Sequence, residues 1–316
     1  MAHPALPDLV GRQEERRRIE EALGWAATEG GVAVLISGET GVGKTALARH
    51  ALSRARARGF LTLEGGSNPL TRNVPYSPLV RALGHGLRSF DQADQASLVD
   101  DLPALSALLV GFGLADPEPL GDPGLERTRL FETVLRLLER MSRRAPVAIL
   151  LDDLQWFDHA SVELLAYLTR DLSGLPVFLV ASYRPEGHSQ DHLGHLLQAL
   201  RLAGPAVEIE LEPLDDDGIA RLARRALGDD IPDQIIDSLV DRSAGIPLFA
   251  QAMISAWREE GLLYQTDGTW RLAPEGERTA PPVVREAIRE QLRHLDGEHR
   301  RLVDLIAVAG GRIAHH

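Results

Sequence analysis

The chain reads as an α/β protein with a mainly parallel sheet, followed by a smaller helical part. Three observations carry this. Short unbroken apolar runs recur at "GVAVLIS" (31–37), "PVAILLDD" (146–153) and "VFLVASY" (177–183), and segments of helical periodicity separate them. Strands buried on both faces of a parallel sheet look like this, because helices cover both faces. After Pro213 the strand signal fades and amphipathic helical patterns take over.

In chain order, "GRQEERRRIEEALGWA" places Ile19, Ala22, Leu23 and Ala26 at helical spacing. The first apolar run follows, then a glycine-rich octapeptide and the helix "KTALARHALSRARAR". "FLTLEG" predicts a strand, and "GSNPLTRNVPYSP" is a loop by its Pro, Asn and Ser content. A mostly helical stretch from Leu79 to about Val110 is broken by "GFGLADPEPLGDPG", and the helix "LERTRLFETVLRLLERMSRR" feeds the second apolar run. "SVELLAYLTRDL" is helical and Pro176 opens the third run. A helix at about 190–203 and the strand "AVEIELEPL" complete the alternation. Helices are expected at 215–227, 232–243 and 247–260, a hairpin around the Asp-Gly of "YQTDGTWRL", and helices at 282–294 and 297–309. The predicted domains are 1–213, 214–280 and 281–316. The apolar segment ending in "GGRIAHH" leads us to expect a piece of a longer protein.

Composition excludes several chemistries. There is no cysteine, so thiolate catalysis, disulfides and Cys-based zinc sites are out. A net charge of −12 opposes duplex-DNA binding by this chain as a whole, since phosphate neutralisation needs a cationic face. "RARAR" at 54–58 reads as a solvated helix face. The N-terminus lacks the basic and apolar regions of a secretory signal, and no apolar run is long enough to span a bilayer, so a cytoplasmic protein with no membrane partner is expected.

The chain has 34 Lys plus Arg, yet its single lysine is Lys44, inside "GETGVGKT" (38–45). This matches G-x-x-x-x-G-K-[ST] between a predicted strand and a predicted helix, the context that gives the pattern meaning. Gly38, Gly41 and Gly43 free the backbone to turn N–H groups toward phosphate oxygens. The helix N-terminus adds partial positive charge. A compact ammonium reaches between phosphates where a planar guanidinium is bulkier. Gly38, Glu39, Thr40, Gly41, Val42, Gly43, Lys44, Thr45 and Ala46 are therefore the expected phosphate-contacting run. Thr45 offers a hydroxyl to Mg2+.

Asp152 and Asp153 end an apolar strand, the edge where open α/β sheets bind ligands. Asp152 reads as the Mg2+-site acid, and Asp153 as the group that orients or deprotonates an attacking water. Loop solvation is the competing explanation for a pair of acids. Arg184, just past the third run, would face a γ-phosphate; a surface ion pair is its alternative. Arg127 and Arg129 read as structural ion pairs, Trp156 as a packing anchor, and Asp158 as a helix cap near Ala160. The histidines show no ligand spacing.

Taken together these residues resemble a STAND-class P-loop ATPase, with an ASCE/AAA+-like sheet. The subgroup they look most similar to is the ATPase module of large LuxR-type (LAL) bacterial transcriptional regulators. "LVGRQEE" (9–15) resembles the family's G-R-x-x-E segment, implying that Val10, Gly11 and Arg12 pack beside adenine. "NVPYSPLVRAL" resembles a stretch typical of the subgroup. "LLDDLQWFDHAS" resembles its D-D-x-x-W-x-D motif, and "ASYRPEG" its sensor-1 segment with Arg184. "SAGIPLFA" is similar to the G-x-P signature, whose proline, here Pro247, closes over the nucleotide. The resemblance implies an ATP/ADP switch with Mg2+ and weak hydrolysis, self-association on ATP binding, sensor or effector domains outside this chain, and DNA contact only through a C-terminal domain beyond it. It also implies that 281–316 begin a winged-helix-like unit. An AAA+-type motor or loader and a non-hydrolysing nucleotide-bound scaffold are the alternatives; a small-molecule kinase ranks last because no acceptor pocket is readable.

Overall fold

The computed structural model describes residues 9–109, 111–185, 190–274 and 276, and isolated positions at 281, 282, 284–286, 289, 297, 301 and 303. The expected helices at 282–294 and 297–309, and with them the winged-helix-like unit, lie largely outside the described residues.

The chain divides into two units, residues 1–39 with 43–212, and residues 40–42 with 213–316. The first opens with α1 (Gln13–Thr28), which buries Ile19, Ala22, Leu23 and Ala26 as the periodicity requires. Then come β1 (Val32–Gly38), α2 (Lys44–Ala57), β2 (Leu61–Gly66), α3 (Ser77–Leu87) and α4 (Gln92–Val99). A 3-10 turn, Pro103–Ala107, precedes α5 (Pro123–Ser142) and β3 (Val147–Asp152). A second 3-10 turn, Leu154–Trp156, leads to α6 (His159–Leu172), β4 (Val177–Ser182), α7 (Gln190–Leu202) and β5 (Ala206–Leu211).

The five strands form one parallel sheet in the order β2-β3-β4-β1-β5. This is the α/β architecture the sequence predicts, a parallel sheet flanked by helices. All six residues of β4 are buried and five of the six in β3, so both strands lie in the sheet interior. Leu63, Leu137, Leu151, Leu164 and Leu179 meet in the core between sheet and helices. Every such Leu buried rather than exposed stabilises by about 1.5–3 kcal/mol.

Strand order sets which chain segments share an edge. β1 and β3 are not neighbours; β4 lies between them. The carboxyl end of β4 therefore lies between the end of β1 and the end of β3, which carries Asp152 and leads to Asp153. On the far side of β3, Gly66 is in register with Asp152.

In the second unit α8 (Asp216–Leu227), α9 (Asp233–Ser243) and α10 (Pro247–Glu259) pack together, and β6 (Leu263–Thr266) pairs antiparallel with β7 (Thr269–Leu272). Asp267 and Gly268 both take positive φ at the hairpin turn, as an Asp-Gly pair allows. Trp257 is fully buried and its indole N–H donates to the Gly276 carbonyl at 2.9 Å. Among the described residues no helix is long and apolar enough to cross a membrane.

Candidate functional site

The first half of the site is made of backbone. Gly41 (φ 82°) and Gly43 (φ 109°) lie in the left-handed region, which side chains resist. Gly43 caps α2 and brings no side-chain hydrogen bond, so the first N–H groups of the helix stay available to an anion. Lys44 begins that helix and is only 6% exposed. Its ammonium donates to the Gly38 carbonyl at 2.8 Å and the Glu39 carbonyl at 2.7 Å. Burial lowers its pKa to about 8, and the like charge of Arg184 pushes the same way; Asp153, Asp152 and Glu39 oppose the shift. The structure thus brings Lys44, Asp152, Asp153 and Arg184, predicted from three separate strand ends, into one electrostatic neighbourhood.

The second half is a hydrogen-bond network of side chains. Thr45 Oγ1 donates to Asp152 Oδ1 at 3.2 Å. The same oxygen accepts the Ser182 hydroxyl, and Ser182 Oγ in turn accepts the Asp153 N–H at 2.9 Å. Asp153 itself sits at φ 60°, a strained position for a residue with a side chain. Its Oδ1 accepts from Gln155 Nε2 at 2.8 Å, and Gln155 Oε1 accepts the Arg184 N–H at 3.1 Å. Leu154 and Trp156, either side of Gln155, are buried and fix the turn; Trp156 is a packing anchor.

Sequence reasoning missed Ser182 and Gln155. Ser182 is the polar last residue of an otherwise apolar strand, a signal that was there to be read. Gln155 stands beside the acids, but its partner in β4's continuation depends on strand order.

Asp158 caps α6: its Oδ1 accepts the Ser161 N–H at 2.9 Å and its Oδ2 the Ser161 hydroxyl. The same Oδ1 accepts the Tyr76 N–H at 3.3 Å, so it also holds the loop before α3. Arg127 pairs with Glu163, and Arg129 with Glu126 and the Glu118 carbonyl. The arginines of "RARAR" are likewise engaged: Arg54 and Arg58 with Glu20, and Arg56 with the Thr62 hydroxyl.

At the N-terminus, Val10 precedes Gly11 (φ 72°) and Arg12 (φ 64°). The Arg12 guanidinium donates to Glu15 and to the Glu212 carbonyl, tying the start of α1 to the segment after β5. In the second unit Pro247 is the first residue of α10, where its missing N–H is harmless. That unit also includes Thr40, Gly41 and Val42, and in it the Leu248 N–H donates to the Gly41 carbonyl at 3.3 Å.

A magnesium ion fits the donors present. The Thr45 hydroxyl and Asp152 carboxylate are hard oxygen ligands already within 3.2 Å of each other. Among the described residues no group of three or more His, Cys, Asp or Glu is placed to hold a metal. One or two protein oxygens, with the remaining positions left to water and phosphate, are what Mg2+ takes. The uncapped start of α2 beside the Lys44 ammonium fits a polyphosphate.

A family model described as an AAA ATPase domain matches residues 8–180. An uncharacterized protein of Rhizobium meliloti (strain 1021) is 26% identical over 336 residues, covering 96% of this chain. This chain spans 30% of that relative's length. Among solved structures, Cdc6p from Pyrobaculum aerophilum is similar with a TM-score of 0.52 at 16% identity, over 82% of this chain and 65% of that one. The Aeropyrum pernix ORC1 protein in complex with DNA is similar with a TM-score of 0.52 at 22% identity, over 98% of this chain and 75% of that one. Such identities establish a shared fold.

Proposed function

We propose, from the premise that this chain belongs to the AAA ATPase domain family, that it is an ATP/ADP-binding switch module with slow hydrolysis. In this reading it controls self-association of a bacterial transcriptional regulator of the LAL type, in the cytoplasm, and contacts DNA only through a separate domain. The observation that carries the nucleotide reading is the convergence on Lys44 of Asp152, Asp153 and Arg184, with Thr45 bonded to Asp152 across the β1–β4–β3 order.

Each residue then has a task. The N–H groups at the start of α2 and the Lys44 ammonium bind the phosphate chain. Lys44 exchanges two carbonyl partners for phosphate oxygens, which are charged and hold an ammonium more strongly. Thr45 and Asp152 would hold Mg2+, which supplies charge neutralisation on the phosphates when bound. Asp153 accepts the proton of the attacking water, and Arg184 distinguishes tri- from diphosphate by the γ-phosphate charge. A switch needs differential affinity, since a ligand with equal affinity for two forms shifts neither. The G-x-P proline, Pro247, and the Val10–Arg12 segment are assigned to the nucleotide on the family resemblance.

The test measures ADP and non-hydrolysable ATP-analogue affinities by calorimetry and molecular mass by light scattering with each. Different affinities and a larger assembly with the analogue are expected. Equal affinities with unchanged mass would end the switch reading.

A further inference from the structure

We infer that Gln155 is a positioning residue for Asp153: its amide fixes the direction of that carboxylate relative to the Arg184 backbone, so that both are set as one piece. The inference rests on the hydrolysis proposed for the same site.

β4 ends at Ser182, and the Tyr183 N–H makes the last bond to β1, donating to the Ile36 carbonyl at 2.9 Å. The next N–H, that of Arg184, turns to a side chain instead, Gln155 Oε1. An amide is one of the few side-chain groups that offers a donor and an acceptor side by side on one plane. Gln155 uses both, giving its Nε2 proton to Asp153 Oδ1 at 2.8 Å. The Asp153 main chain is already held, its N–H on Ser182 Oγ. What remains loose is rotation of the carboxylate, and the Gln155 donor removes it. Gln155 has a firm footing of its own, because Leu154 is 2% and Trp156 8% exposed. A role in packing alone would account for the bond to Arg184; the bond into the Asp153 carboxylate is the added element.

Two variants separate these bonds. Gln155→Met keeps length and loses both bonds, whereas Gln155→Glu keeps an acceptor for the Arg184 N–H and loses the donor to Asp153. Single-turnover ATP hydrolysis, ADP affinity, melting temperature and hydrogen exchange of the Arg184 amide are measured for each. Both variants should hold ADP within about twofold and lose roughly ten- to a hundredfold in turnover, the scale of a misaligned reacting group. The Arg184 amide should exchange faster in Gln155→Met than in wild type, and stay protected in Gln155→Glu. Wild-type turnover in either variant, or an Arg184 amide indifferent to Gln155→Met, overturns the inference. A wild-type protein that binds nucleotide without cleaving it ends the hydrolysis reading instead, and the exchange comparison then decides on Gln155 by itself.

Discussion

The loop after β1 and the edge formed by β3 and β4 contribute to one site by different means. The loop relies on main-chain geometry at Gly41 and Gly43 and on one cation, Lys44. The edge relies on side chains linked in series, partly through main-chain N–H groups: Thr45 to Asp152, Asp152 to Ser182, Ser182 to the Asp153 N–H, the Asp153 carboxylate to Gln155, Gln155 to the Arg184 N–H. A main-chain device is local, and it fails at a single position. A series of side-chain bonds spans three elements, and a change at one member is felt by the next.

Three measurements would break or sharpen that contrast. The largest effect is expected at the loop. Lys44→Ala removes the single lysine and should weaken triphosphate binding roughly ten- to a hundredfold, as loss of a hydrogen bond to a charged group predicts. Calorimetry with a non-hydrolysable analogue checks it, and retained affinity would contradict the assignment. At the edge, Ser182→Ala takes a donor from Asp152 and an acceptor from the Asp153 N–H together. It should cost about 1–3 kcal/mol of stability and lower Mg2+-dependent binding several-fold more than Mg2+-independent binding. Equal losses with and without the metal would detach Ser182 from the metal side of the site.

The smallest effect concerns proton linkage. The Lys44 pKa is lowered to about 8, so the ammonium loses its proton as pH rises through that value, and phosphate favours the protonated form. ADP affinity measured without metal should therefore fall roughly fourfold between pH 7 and pH 8.5. Lys44→Arg stays charged and should show no such slope; a slope that persists in it would point to another group.

The same contrast explains what the sequence disclosed. "GETGVGKT" was readable because its geometry is written within eight consecutive residues between a strand and a helix. Asp152 and Asp153 were readable as the acids ending an apolar run, and Asp158 as the cap of a helix starting near Ala160. The structure gives each strand near its expected place, and α5 begins at Pro123, two residues before the expected "LERTRL" segment. Strand order was not readable, because parallel pairing joins segments far apart in the chain. The polar end of β4 marks Ser182, but its bonds to Asp152 and Asp153, like the bond of Gln155 to the Arg184 N–H, exist only once β4 lies beside β3, so local pattern could not assign those partners.

The double use of Asp158 has a consequence for how the protein assembles. Its bond to Ser161 is available as soon as α6 starts to form, but its bond to Tyr76 spans 82 positions. Long closures are entropically late events. The helix can therefore be capped early, while the bond that ties the loop before α3 to the same carboxylate waits until the β2 and β3 segments have met, two stretches of chain synthesised far apart.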